Sequence, residues 1–186
     1  MSLVSASATT KHVVEVKDVC LDFHTKAGVV SALSNVDLCI QAGEFISFIG
    51  PSGCGKTTLM RVLADLETPS SGSVLVNGMS PAEARQKRAY GYVFQAPALL
   101  PWRTVQDNVL LPLEIMGCGK EESQQLASKY LELVNLSGFE ANYPWQLSGG
   151  MQQRVSIARA LSLLYPCTAL CFASLCFAKA GGSRTI

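Results

Sequence analysis

Charge is scarce in this chain. Only 16% of its 186 residues are Asp, Glu, Lys or Arg, while 48% are hydrophobic. A disordered chain needs the reverse, low hydrophobicity with high charge, so disorder is excluded. The length suffices for one domain with a sizeable core. An excess of either sign is missing too. Fifteen Lys and Arg against fourteen Asp and Glu leave a net charge of +1. That excludes nucleic-acid binding through bulk basic charge but leaves a local anion pocket open. The seven cysteines are too few for a disulfide scaffold, odd in number, and without zinc-ligand spacing. Cys20 and Cys39 read as small apolar residues within strands, and a reducing intracellular compartment is the expected setting. Residues 1–12 are rich in Ser, Ala and Thr and hold no long apolar run. They read as a loose tail rather than a signal peptide. The two histidines, His12 and His24, are expected to face solvent. No internal repeat is present.

Valines alternate with polar residues over 13–19, and Val36, Leu38 and Ile40 alternate again, so both stretches predict strands. Ala42-Gly43 predicts a turn, and the continuous apolar run 45–49 predicts a buried parallel strand. After a glycine-rich loop, Leu59, Val62, Leu63 and Leu66 recur at helical spacing until Pro69 to Gly72 break the pattern. Residues 73–77 and 90–94 predict two more strands, with Asn77-Gly78 as a turn. Residues 104–116 are apolar and interrupted by Pro112. Over 120–135, Leu126, Tyr130, Leu133 and Val134 share one face of an amphipathic helix. Ser148 is a candidate N-cap for a helix through Arg159. A helical insertion in a strand-rich frame is expected.

Gly50-Pro51-Ser52-Gly53-Cys54-Gly55-Lys56-Thr57 fits the phosphate-binding pattern G-x-x-x-x-G-K-[ST], with an apolar run before it and a helical pattern after it. Glycines at 53 and 55 let successive backbone N–H groups line one concavity where a β-carbon would intrude. The following helix adds its positive end. Lys56 is a mobile point charge for the β- and γ-phosphates, and the Thr57 hydroxyl is a hard ligand for Mg²⁺. Thr58 completes the nucleotide-binding run. A glycine-rich turn before a helix is the plain alternative, and the strand–loop–helix context disfavours it.

A second octet, Leu147-Ser148-Gly149-Gly150-Met151-Gln152-Gln153-Arg154, repeats the device: a hydroxyl, two glycines and a helix start make another anion site. It resembles the signature motif of ABC-transporter ATPases almost letter for letter. Gln95, closing Tyr92-Val93-Phe94-Gln95, looks like that family's Q-loop glutamine, which helps place Mg²⁺ and the attacking water. Phe23 stands where the family places an aromatic against adenine; a core aromatic at a strand end is the other reading. Residues 99–105, Leu-Leu-Pro-Trp-Arg-Thr-Val, running into Asn108-Val109, resemble the nitrate/sulfonate/taurine importer branch, as does Gly43-Glu44-Phe45. The resemblance covers roughly residues 13–161. It implies an α/β fold: a P-loop NTPase core, here an ABC-type nucleotide-binding domain over 13–162, with an antiparallel β part and a helical subdomain at about 97–160, truncated on its C-terminal side. It also implies an ATP-binding subunit peripheral to the cytoplasmic face of the membrane. Two copies would bind ATP and Mg²⁺ head to tail, each ATP held by one P-loop and by the partner's Ser148, Gly149, Gly150 and Gln152. Permease subunits would be driven, fed by a substrate-binding protein; nucleic acid is no partner.

The departures from that family are specific. Asp65 stands where a glycine is usual. The family's Walker B Asp-Glu, D-loop and switch histidine are not visible, so no catalytic residue is identified. Aligning on Pro166 puts Phe172 and Ala173 where the two acids belong, and no Asp or Glu follows Glu140. Hydrolysis is expected to be impaired, and a non-hydrolysing nucleotide-binding remnant is the alternative function. A small kinase is disfavoured by residues 147–154. Residues 160–178 are uncharged and include three cysteines. Three readings fit them: a near-length bilayer span flanked by Lys179 and Arg184, a buried strand and loop, or departure from the family pattern near Leu163 through an altered frame or splice. The last is favoured, with 163–186 a non-family tail. Residues 169–177 are apolar and of strand length, suited to the central slot the family's missing strand would fill.

Overall fold

Valine-rich alternation makes the first element. β1 (His12–Thr25) buries Val13, Val14, Val16, Val19 and Leu21 and pairs antiparallel with β2 (Gly28–Gln41) on one side. On its other side lies β3 (Ser71–Val76), giving the order β2-β1-β3. A computed structural model of the chain describes residues 12–26, 28–163 and 170–173. The chain divides between Gln86 and Lys87 into two compact units.

In the first unit, α1 (Lys56–Leu63) buries Leu59, Met60, Val62 and Leu63. It ends short of Leu66, and Asp65 beyond it has φ 50°. This left-handed conformation is why a glycine suits the position, and Asp is among the few other residues that tolerate it. Its carboxylate is tied by a 2.7 Å bond from Arg85 Nε, on the short helix α2 (Pro81–Gln86). Sequence periodicity did not predict α2; its start is a Ser80–Glu83 exchange of hydrogen bonds. Asn77 and Gly78, with φ 52° and 73°, form the expected turn.

The predicted strand at 45–49 is a correction. Those residues belong to no sheet among the described residues, and Phe45 and Ile49 are 94% and 93% exposed. An apolar run becomes a strand only through ladder hydrogen bonds to neighbours, and no described strand runs beside it.

The second unit holds β4 (Tyr90–Val93), α3 (Val105–Met116), α4 (Lys120–Leu133), α5 (Gly149–Ser162) and β5 (Leu170–Ala173). β4 and β5 are parallel, with Tyr90 opposite Leu170 and Val93 opposite Ala173. Only part of the 169–177 stretch is described, and its strand lies beside β4. The rest of the tail lies outside the described residues. Among the described residues no helix is long and apolar enough to cross a membrane.

Val105, Val109, Ala127, Leu131, Leu136, Leu147, Val155 and Ala158 form the helical core. α3 is opened by a capping box between Thr104 and Asp107 and continues through Pro112 rather than stopping there. Tyr130 and Val134 pack on the core as expected, but Leu133 is 67% exposed. The buried stripe of α4 runs along Leu126, Ala127 and Leu131, leaving Leu133 at its edge in the last turn. Cys39 faces outward, and His12 and His24 are exposed. α5 packs so tightly on β4 that a Cβ at Gly91 would lie 2.8 Å from the Ala160 carbonyl.

Asn108 is fully buried and saturated. Its Nδ2 donates to the carbonyls of Leu100, Arg103 and Thr104, and its Oδ1 accepts from Leu100 N–H at 2.8 Å. It thereby fixes the loop that leads into α3. Asn108→Ala strands the Leu100 amide, and a buried unsatisfied group costs about 1–3 kcal/mol. Urea unfolding should show a loss of that size, with m unchanged.

Candidate functional site

Glycine conformation builds the first candidate site. Gly53 and Gly55 have φ 83° and 90°, a region that side chains avoid. At Gly55 space forbids a side chain as well: a Cβ would lie 2.7 Å from the Ala32 carbonyl and 2.9 Å from Leu33 Cδ2. The loop is thus backed directly by β2. α1 begins at Lys56 with no side-chain cap and no acid in its first turn. The first amides of a helix have no partner within it, so this start carries positive potential that no acid of its first turn neutralises. Lys56 Nζ folds back over the loop, donating to Gly50 O at 2.9 Å and Pro51 O at 2.7 Å, with Cys54 Sγ at 3.2 Å. A Cβ at Gly50 would sit 2.9 Å from that sulfur and 4.0 Å from Nζ. Residues 50–54 are exposed, and Thr57 and Thr58 are half-buried in the first turn of α1.

Phe23 belongs to the same unit. It pairs with Val30 on β2, two residues from the Ala32 that backs Gly55, about 7 Å along the strand. Its ring is partly exposed beside exposed Val29 and Val30. β1 and β2 therefore bring Phe23 towards the glycine loop, and a fully buried core role does not fit.

The second candidate site is the start of α5. Ser148 caps the helix, its Oγ accepting from Met151 N–H at 3.3 Å. Gly149 and Gly150 are exposed, and a Cβ on either meets nothing within 4 Å. Gln152 does not reach outward: its Nε2 donates to the carbonyls of Pro144 and Leu147, holding the preceding turn. Tyr143 and Trp145, just before the cap, stack at 4.5 Å.

Gln95 is exposed, in the irregular segment after β4. Three side-chain bonds tie this segment to α5: Gln153 Nε2 to Phe94 O at 3.1 Å, Arg159 Nη2 to Pro97 O at 3.1 Å and Arg159 Nη1 to Ala98 O at 2.9 Å. Burial lowers the pKa of Arg159 from its ordinary value, yet a guanidinium remains charged at neutral pH. Arg154 Nη1 spans the carbonyls of Val134 and Asn135 at the end of α4. Sequence reading missed Asn108, Gln153 and Arg159. A cation between the apolar Ala158 and Ala160 was the available signal for Arg159. Phe172 and Ala173 lie opposite Tyr92 and Val93 by backbone pairing. No group of acids, cysteines and histidines with metal-binding geometry occurs among the described residues.

A family model described as ABC transporter matches residues 33–167. An uncharacterized ABC transporter ATP-binding protein of Methanocaldococcus jannaschii is 48% identical over 140 residues, covering 75% of this chain and 52% of that protein. The nitrate import ATP-binding protein NrtD of Synechocystis sp. is 45% identical over 148 residues, covering 80% and 55%. The chain spans about half the length of these curated relatives. A dimeric ATP-binding cassette in a post-hydrolysis state, bound to ADP and Pi, superposes with a TM-score of 0.78 at 35% identity, covering 86% of this chain and 72% of that one.

The glycines separate by what each one serves. Gly53→Ala should cost about 1–2 kcal/mol, the penalty of a left-handed residue. Gly55→Ala should cost more, because the β2 backbone blocks its Cβ. Gly150→Ala should instead stabilise the chain by up to about 1 kcal/mol, since alanine is the better helix former. Thermal unfolding of the three variants gives the order directly.

Proposed function

The chain belongs to the ABC transporter family, and on that premise we propose that it is the ATP-binding part of an importer, coupling nucleotide binding to solute uptake. The observation that carries this is the glycine loop over an uncapped helix start, crossed by Lys56. Glycine at position 50 supports the same reading: a β-carbon there would crowd the Cys54 sulfur at 2.9 Å, on the side of the loop where Lys56 Nζ lies. Gly50, Pro51, Ser52, Gly53, Cys54, Gly55, Lys56, Thr57 and Thr58 hold the phosphates, and Phe23 stacks on the adenine. Thr57 offers Mg²⁺ a hydroxyl, and Gln95 is assigned to the metal by resemblance. An ion held there would neutralise phosphate charge.

Ser148, Gly149 and Gly150 serve a second copy of the chain. Among the described residues nothing requires glycine at 149 and 150, which supports a body approaching from outside. Gln152 acts on this reading by fixing the turn before the cap. Residues 13–162 form one nucleotide-binding domain, with its helical subdomain at about 97–160. The partners are a second such subunit and membrane permease subunits, with a substrate-binding protein upstream, and the place is the cytoplasmic face of the membrane. The segment 99–105 and the NrtD likeness favour an oxyanion solute such as nitrate or a sulfonate.

A second reading, nucleotide binding without turnover, is favoured by one fact: no Asp or Glu occurs from Ala141 to Ile186. A positioned general base contributes about 10²–10⁴-fold, and none is available there. Phosphate release, followed in the titration below, separates the two readings.

Lys56→Ala removes a charged hydrogen-bond donor, worth about 1.5–3 kcal/mol, so ATP affinity should fall roughly ten- to a hundredfold. Isothermal titration checks this, and equal affinities would refute the phosphate-loop assignment. Ser148→Arg should leave ATP affinity intact and abolish ATP-dependent pairing in light scattering. Unchanged pairing would refute the shared site.

A further inference from the structure

Two polar side chains of α5 are spent on the segment that carries Gln95. Gln153 and Arg159 lie six residues apart on that helix, and their side chains reach Phe94, Pro97 and Ala98 on either side of Gln95. The segment has no regular structure of its own. Ala98 holds φ 47°, a left-handed conformation that alanine keeps only where its surroundings impose it. The imposing group is at hand: the forked Arg159 guanidinium takes the Pro97 and Ala98 carbonyls together. No carboxylate pairs with Arg159 among the described residues. A half-buried cation facing two neutral carbonyls is a poor device for stability alone, because its desolvation is not recovered by an opposite charge. It is an effective device for fixing two carbonyls in one geometry, since the guanidinium fork is planar and rigid.

We propose that Gln153 and Arg159 are positioning residues that set the conformation of residues 94–98, and with it the aim of the Gln95 carboxamide, from the helix that Ser148 opens. This rests on the assignment of Gln95 to Mg²⁺-nucleotide given above. The helix that offers Ser148 to a second copy is then the same rigid body that holds Gln95, so one displacement moves both.

The test uses the full chain with Gln153→Met, Arg159→Met and the conservative Arg159→Lys. Backbone order parameters by NMR are read at Gln95, Ala96 and Ala98, with α3 as the internal reference. In the parent chain the segment should be near the rigid value of about 0.85, and in Arg159→Met it should fall below about 0.6. Arg159→Lys, which keeps one donor but not the fork, should lie between. The second measurement is the ratio of ATP dissociation constants without and with Mg²⁺. It should fall at least threefold, on the order of 0.6 kcal/mol, in both Met variants while metal-free affinity holds. Unchanged order parameters with an unchanged Mg²⁺ ratio overturn the inference. Gln153 is only half-buried, so Gln153→Met decides the matter should Arg159→Met fail to fold. A parent chain that binds no ATP overturns the proposed function instead, and the order parameters still decide this inference.

Discussion

Backbone carbonyls without a regular partner are what the second unit must satisfy, and α5 satisfies many of them. Five of its side chains, Gln152, Gln153, Arg154, Arg159 and Ser162, donate to main-chain oxygens in four separate segments. These are the turn before the cap, the end of α4, the segment around Gln95 and the middle of α3. A carbonyl left dry and unpaired costs more than an ordinary hydrogen bond returns, so each irregular segment must find a donor. One helix supplying donors to three such segments means that the loops share a frame. Its apolar side, through Val155 and Ala158, is locked into the helical core, so the donors cannot drift.

The first unit solves a different problem. Its glycine loop needs backbone conformations that most residues refuse, and it needs a wall behind them. β2 is that wall: Ala32 and Leu33 approach Gly55 so closely that no side chain fits. The β1–β2 pairing therefore does more than bury valines. It sets where the loop stands relative to the hairpin end that carries Phe23, through the register that puts Leu21 opposite Leu33 and Phe23 opposite Val30.

Much of this was readable before any coordinates, and the limits have physical causes. Both motif loops were legible because only glycine, a hydroxyl and a cation do what they do at those spacings. The strands of the first unit were legible because their valines alternate. The stretch 45–49 was misread because strand formation is a property of a pair, and an apolar run carries no information about its neighbours. Leu133 was misplaced because the width of a buried stripe depends on the partner helix, not on the helix that bears it. Asp65 reads in the sequence only as a departure from the usual glycine, and its φ of 50° and its bond to Arg85 explain it. Asn108, Gln153 and Arg159 were missed because their partners are main-chain carbonyls, and every residue of every sequence offers one of those.

The four glycines of the two motifs divide along the same line. Gly53 and Gly55 are dictated from within: left-handed backbone at both, and at Gly55 a neighbouring strand in the way. Among the described residues nothing dictates Gly149 and Gly150, since helical backbone and open space would accept alanine at both. A residue that weakens a helix and relieves no clash is a cost without an internal return. On the proposed function the return comes from outside, in the close approach of a second copy that a methyl group would hold off. A serine cap and a helix start suit negative charge or hydrogen-bond acceptors on that side. The physical distinction between the two motifs is thus the side on which the chain itself constrains them: the first loop is shaped by its own β-sheet, while the second is left open among the described residues, as the proposed second copy would need.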